Sequence, residues 1–133
     1  MENILKIDSK SDSLNLVEKF VDDFSASNDL DQDVYGNLLI ATLEAVNNAI
    51  THGNKLNEMK KVEITFVIKD KKVQLTVKDE GNGFDPKKIP DPTSPENIEN
   101  MSGRGVFLMS KLSDKIEFDN NGSLVRMTFF LHK

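Results

Sequence analysis

The 133-residue chain reads as an α/β (α+β) two-layer sandwich, an antiparallel-rich mixed sheet covered on one face by about three helices. Three observations predict this. Apolar residues recur at helical spacing in two stretches of the N-terminal half, and they alternate with polar residues in paired stretches further on. No internal repeat or linker divides the chain, and a chain of this length buries roughly two-thirds of its unfolded surface, enough for one core. A single domain over residues 1–133 is therefore expected.

Taken in order, Asn3 to Asp8 reads as a short first strand. From Ser11, with Ser11 or Asp12 as N-cap, Leu14, Val17, Phe20, Val21 and Phe24 give a first helix, broken by the polar stretch from Ser25 to Leu30. A longer helix is predicted from about Asp31–Asp33 to His52, with Val34, Leu38, Ala41, Ala45 and Ala49 on its apolar stripe and Gly53-Asn54 at its end. Val62, Ile64, Phe66 and Ile68, then Val73, Leu75 and Val77, alternate on either side of the Asp70–Lys72 turn and predict a hairpin. A segment from Asp85 to Ser102 holds all four prolines and little periodicity, and such long structureless stretches are usually lids or disordered. A third helix is expected from about Gly105. A second hairpin, turning at Asn120-Asn121-Gly122, pairs Ile116–Phe118 with Leu124–Leu131.

Composition narrows the function. The net charge is −5, with the lysines in short clusters at expected strand ends and turns, which argues against a nucleic-acid surface. There is no cysteine, hence no disulfide, and no apolar run long enough for a membrane span. The N-terminus lacks a signal-peptide pattern, so a cytoplasmic protein is expected, with neither membrane nor direct nucleic-acid contact.

Three elements carry candidate chemistry. Glu44, Asn48 and His52 stand four residues apart, so each is offset by only about 40° and they form one polar stripe, away from Ala45 and Ala49. By itself such a stripe is an ordinary solvated face; functionally it is an oxygen-rich edge suited to Mg²⁺, which takes hard ligands and shares them with phosphates. Asp79-Glu80-Gly81-Asn82-Gly83 follows a strand directly, and its two glycines allow a tight turn and close backbone approach to a ligand. Alone it is a plain turn. Ser102-Gly103-Arg104-Gly105 opens a helix, where free backbone N–H groups and the helix dipole favour an anion. Neither glycine element matches a P-loop or a dinucleotide fingerprint.

The order and spacing of these elements resemble the GHKL, or Bergerat-fold, nucleotide-binding domains. The E-x3-N-x3-H box is matched by Glu44, Asn48 and His52, the D-x-G-x-G box by Asp79, Gly81 and Gly83, and the helix-opening G-x-G by Gly103 and Gly105. Within that superfamily, GFDP, DPTSPEN and SGRGVFLM resemble the bacterial anti-sigma-factor serine/threonine kinases. The resemblance implies ATP and Mg²⁺ as ligands and Glu44 as general base. It implies Asn48 on the metal and Asp79 on the adenine amino group, with Gly81 and Gly83 shaping the base pocket. Gly103, Arg104 and Gly105 would cradle phosphates, with His52 nearby. Related chains place a hydroxyl near the last strand to support the adenine-binding Asp; Ser123 offers one here, while a register shifted by one puts Leu124 there and Thr128 lies further along.

The implied function is phosphorylation of a STAS-type anti-anti-sigma protein, together with sequestration of a sigma factor, by a homodimeric kinase. A nucleotide-dependent regulatory module without kinase activity is the alternative, though it has no need of a base at Glu44. A histidine-kinase-like catalytic domain would need a phosphoacceptor histidine on a dimerising helix pair, and the only histidines are His52 and His132.

Overall fold

The computed structural model describes residues 2–81, 101–119 and 123–131, with residues 101–104 described as backbone only. Five strands form one sheet in the order β1-β2-β3-β5-β4: β1 is Glu2–Asp8, β2 Lys61–Lys69, β3 Lys72–Lys78, β4 Lys115–Asp119 and β5 Leu124–Phe130. Every pairing is antiparallel, where the sequence had suggested a mixed sheet.

Register puts the apolar alternation on one face. Ile7 faces Val62, Leu5 faces Ile64, Phe66 faces Leu75, and Leu75 in turn faces Met127. On that face Val62, Ile64, Phe66, Val73, Leu75 and Met127 are completely buried. The opposite face carries rows such as Lys6–Glu63–Lys78 and Thr65–Thr76–Arg126, as expected of an antiparallel sheet covered on one side. The β2–β3 hairpin turns through Asp70 and Lys71, both with positive φ, the backbone demanded by a two-residue turn of the right twist.

Among the described residues three helices cover the apolar face: α1 (Leu14–Ser27), α2 (Gln32–Asn48) and α3 (Met101–Leu112). A single 3-10 turn, Ser11–Ser13, leads into α1, which then continues two residues past the break expected at Ser25. Val17, Val21 and Phe24 of α1 face the sheet, and Phe66 stacks between the rings of Phe20 and Phe24 at 5.2 and 4.5 Å. Asp31 caps α2, its carboxylate accepting a hydrogen bond from the Val34 N–H at 2.9 Å. Leu38, Ala41, Ala45, Val46 and Ala49 then run its buried stripe, and α2 packs against both α1 and α3. No helix among the described residues is long and apolar enough to cross a membrane.

Two boundaries depart from the sequence reading, and both matter to the site. The regular part of α2 stops at Asn48, and Ala49–Gly53 form a π-helical turn instead of a continued α-helix. α3 begins at Met101, so Gly103, Arg104 and Gly105 lie inside its first turn and a half, not ahead of it. The Asn120–Gly122 turn and residues 85–100 of the expected lid lie outside the described residues.

Candidate functional site

The C-terminal part of α2 is where core and site meet. Ala45, Asn48 and Ala49 form one wall of a narrow, partly open cleft. Val77 and Val125 of the sheet, with Met109 of α3 and Phe118 of β4, supply apolar surface, and Gly53, Asp79 and Ser123 stand at its polar side. The alanines leave this slot open: larger side chains at positions 45 and 49 would fill the gap between helix and sheet. Asn48 shares the cleft with Ala45 and Ala49, so the polar stripe is not set apart from the alanines as expected.

The π turn sets the far end of the site. The Asn54 N–H donates to the Ala49 carbonyl at 2.7 Å, the i→i+5 bond of a widened turn. His52 lies within this turn, is exposed and does not line the cleft. The turn brings the backbone of Gly53 against the Asp79 carboxylate. A Cβ on Gly53 would lie 2.3 Å from Asp79 Oδ2, and one on Gly81 would lie 1.8 Å from the Gly53 carbonyl oxygen. A side chain at 53 would displace the Asp79 carboxylate, and one at 81 would displace the Gly53 backbone. The chain leaves the turn through Lys55 and Leu56, both in the left-handed region.

Asp79 is buried at the end of β3 and fixed by its own turn. Its N–H donates to the Ser123 carbonyl at 2.9 Å, and its Oδ1 accepts from the Gly81 N–H at 2.8 Å. Oδ2 accepts no hydrogen bond from the described residues. Burial pushes the Asp79 carboxyl above its usual range, opposed by the Gly81 N–H and the charge of Lys60. A buried carboxylate with one open oxygen over an apolar slot suits a planar ligand that presents an N–H donor. Ser123 is itself buried beside Asp79 in the cleft.

At the other end of the cleft, α3 closes on Asn48. A Cβ on Gly105 would lie 2.6 Å from the Asn48 amide nitrogen, so glycine lets the helix backbone approach that side chain. The Asn48 amide makes no hydrogen bond with the described residues. The first four N–H groups of α3, at Met101 to Arg104, have no partner within the helix. Glu44 lies one turn back along α2, half-buried and outside the cleft lining. Gly83 lies outside the described residues, as does the side chain of Arg104.

Sequence reasoning missed Asn54, which organises the whole Asp79 turn. Its buried amide donates to Ser9 Oγ at 2.8 Å and to the Lys61 carbonyl at 3.0 Å, and its Oδ1 accepts from the Glu80 N–H at 2.8 Å. Ser9 Oγ in turn donates to the Lys60 carbonyl at 2.6 Å, and the Lys61 N–H donates to the Glu80 carboxylate. The end of β1, the start of β2 and the turn after β3 are thus tied through one side chain. Its position directly after Gly53 suggested only a helix terminator.

Two outcomes are expected from this geometry. Asn54→Ala leaves several buried groups without partners, at about 1–3 kcal/mol for each. Native-state hydrogen exchange should register this as faster opening at the Glu80 amide than at amides in mid-strand β2. The second concerns Asp79. Its folded-state pKa is raised, so its ionised form weakens the fold, and that cost is present above the unfolded carboxylate pKa and absent below it. Asp79→Asn should therefore raise the melting temperature near neutral pH, and the gain should vanish as the pH falls below the ordinary carboxylate range.

Residues 7–129 match the family model described as Histidine kinase-like ATPase domain. The serine-protein kinase RsbW of Bacillus licheniformis is 27% identical over 97% of this chain and 85% of its own length. The anti-sigma F factor of Bacillus subtilis (strain 168) is 32% identical, covering 97% of this chain and 92% of that protein. The match to the serine-protein kinase RsbW of Oceanobacillus iheyensis, 31% identical over 71% of this chain, spans 64% of that protein's length. Among solved structures, the RsbU and RsbW domains of a Mycobacterium tuberculosis protein superpose with a TM-score of 0.72 at 14% identity, over 98% of this chain and 32% of that one, a likeness of fold. The cleft between α2, the Asp79 turn and α3 thus sits in a chain that belongs to the histidine kinase-like ATPase domain family.

Proposed function

We propose that the chain is an ATP-dependent serine/threonine protein kinase of a partner-switching system. On this reading it phosphorylates a STAS-type anti-anti-sigma protein and sequesters a sigma factor. The observation that carries the reading is the convergence of three sequence-distant segments on one cleft: Asn48 of α2, the Asp79–Gly81 turn, and Gly105 of α3. Relatives named serine-protein kinase RsbW and anti-sigma F factor, at about 30% identity, support the choice of chemistry and of partners.

The cleft's two ends suit the two ends of ATP. At one, the Asp79 carboxylate accepts from an exocyclic amino group while Ala45, Ala49, Val77 and Met109 enclose the ring, with Ser123 beside the carboxylate. At the other, the N–H groups at Gly103 and Arg104, which have no partner within the helix, meet phosphate oxygens. Gly81 allows the close backbone approach at the base end. For Mg²⁺ the fit test is the donor set. Among the described residues no group of three or more acidic or histidine side chains could hold a metal, whereas Asn48 presents an uncommitted amide oxygen at the phosphate end. One protein oxygen beside phosphate oxygens and water is a usual Mg²⁺ arrangement, and the ion supplies charge neutralisation at the transferring phosphoryl group.

Glu44, one turn or about 6 Å along α2 from Asn48, lies outside the nucleotide slot, on the side from which a substrate hydroxyl can approach. As general base it takes the hydroxyl proton as the oxygen bonds to phosphorus and the bond to the leaving ADP oxygen breaks. Positioning and charge neutralisation carry most of the rate in such transfers.

The direct test is incubation with labelled ATP and purified STAS-domain candidates: transfer to one of them is expected, and binding without transfer favours the non-catalytic regulatory module. ATP should bind more tightly than GTP, because a purine lacking the amino donor leaves Asp79 unpaired at a cost of about 1–3 kcal/mol. Asp79→Asn should weaken ATP by an order of magnitude or more in calorimetry, even as it stabilises the apo fold; equal affinity for the two nucleotides removes Asp79 from the base pocket. Glu44→Gln should lower transfer by about 10²–10⁴ with ATP affinity kept. Asn48→Ala should instead remove the Mg²⁺-dependent part of the ATP affinity.

A further inference from the structure

The far end of α2 carries a second feature that the nucleotide reading leaves unused. Between Leu14 and Asn37 the chain has six acidic residues against the single Lys19, so this stretch holds a charge equal to the whole net charge of −5. Asp31 and Asp33 are accounted for by the start of α2, which favours acids. Asp22, Asp23 and Asp29 are not. Asp22 and Asp23 stand just before the last turn of α1 and Asp29 just beyond it, towards the negative end of its dipole, and that last turn carries no basic residue. None of them belongs to any of the three ion pairs among the described residues.

Asp22 and Asp29 border an open hollow with Ser25, Leu30, Gln32 and Tyr35. Ser25 is 94% buried by the complement of its 6% exposure, yet its Oγ has no hydrogen-bond partner. Other helical hydroxyls do not behave this way: Thr42, Thr51 and Ser113 each donate to the carbonyl four residues back. The orphaned Ser25 hydroxyl shares the hollow with two carboxylates that belong to no ion pair among the described residues. Across the hollow, the Tyr35 hydroxyl donates to Asp22 Oδ1 at 2.5 Å, which holds its ring at the edge of the acidic patch.

We propose that this hollow is a docking site for an arginine side chain of a protein partner. Charge complementarity selects a cation, and among the described residues no acidic cluster could hold a metal ion, which leaves an organic one. A guanidinium fits better than an ammonium. Its planar fork carries five donors for the Asp22 and Asp29 carboxylates and the Ser25 Oγ, and its face stacks on a tyrosine ring. The surface is also wider than one side chain. Asp31 and Asp33 extend the acidic run along the chain and, with Asp114 and the single Lys111, line a second hollow, so acidic groups outnumber basic ones there too, which suits a basic protein segment more than a free small cation. Tyr35 and Asn48 are thirteen helical residues apart, about 20 Å, so this site stands clear of the nucleotide cleft and does not rest on the function proposed for it.

The test uses the full chain and two blocked peptides that differ only in one residue, Gly-Ser-Arg-Ser-Gly and Gly-Ser-Lys-Ser-Gly, titrated by NMR at physiological salt. Saturable shifts confined to amides around Ser25, Leu30 and Tyr35 are expected, with the arginine peptide binding at least threefold more tightly. Ser25→Ala and Asp29→Asn should each weaken it by threefold or more. Asp23→Asn, on an exposed residue outside the hollow, should change it little. Ser25→Ala removes only an unpartnered hydroxyl, so an unchanged or raised melting temperature shows that the fold is intact. Absence of shifts, equal response to both peptides, or indifference to Ser25→Ala overturns the proposal and leaves an ordinary acidic surface.

Discussion

The contact between the end of α2 and the turn after β3 is the constraint on which the rest of the site depends. Two backbones meet there with no side chain between them: Gly81 lies on the Gly53 carbonyl, and Gly53 lies under the Asp79 carboxylate. Bringing them so close requires glycine at both positions and a helix that ends in a π turn, since an α-helical continuation would direct position 53 elsewhere. Gly105 repeats the device where α3 meets Asn48. Three glycines from three separate parts of the chain therefore set the spacing of the cleft walls.

That contact is held from behind by Asn54. Its side chain spans from Ser9 after β1, across the start of β2, to the Glu80 amide, so the sheet's edge and the Asp79 turn move together. The sheet itself holds Asp79 from the other side through the Ser123 carbonyl. A buried carboxyl whose charge is disfavoured by its surroundings is tolerated because the turn around it is fixed on both flanks. Burial of this kind is a familiar sign of a binding residue, at a cost to the stability of the empty protein.

Much of the fold was legible because periodicity is a direct record of burial. Phe66 and Leu75 face each other in the sheet core as their alternation required, and α2 begins at Gln32, within the range expected for its start. The glycine-bearing turn at Asp79 and the glycines of α3 were visible as unusual patterns. Other features were not. No local signal distinguishes the π turn from a continued helix, so the end of α2 was drawn at His52 instead of Asn48. Met109, Phe118 and Val125 look like any core residues, and that they line a cleft depends on how far apart α2 and the sheet stand. Asn54 resembles a helix stop because its partners lie 7, 26 and 45 positions away in sequence.

The alanines at 45 and 49 have a further consequence. The cleft walls are core residues, Val77, Met109 and Val125 among them, so the slot is an unfinished part of the hydrophobic interior and not a groove laid on the surface. A ligand seated there completes the packing of the domain. Occupancy then acts as a term in folding: a ligand at a hundred times its dissociation constant adds about 2.7 kcal/mol, a sizeable share of what holds a small domain together. The lifetime of such a protein against unfolding and proteolysis tracks the concentration of whatever fills the slot, so its abundance can report the state of that pool.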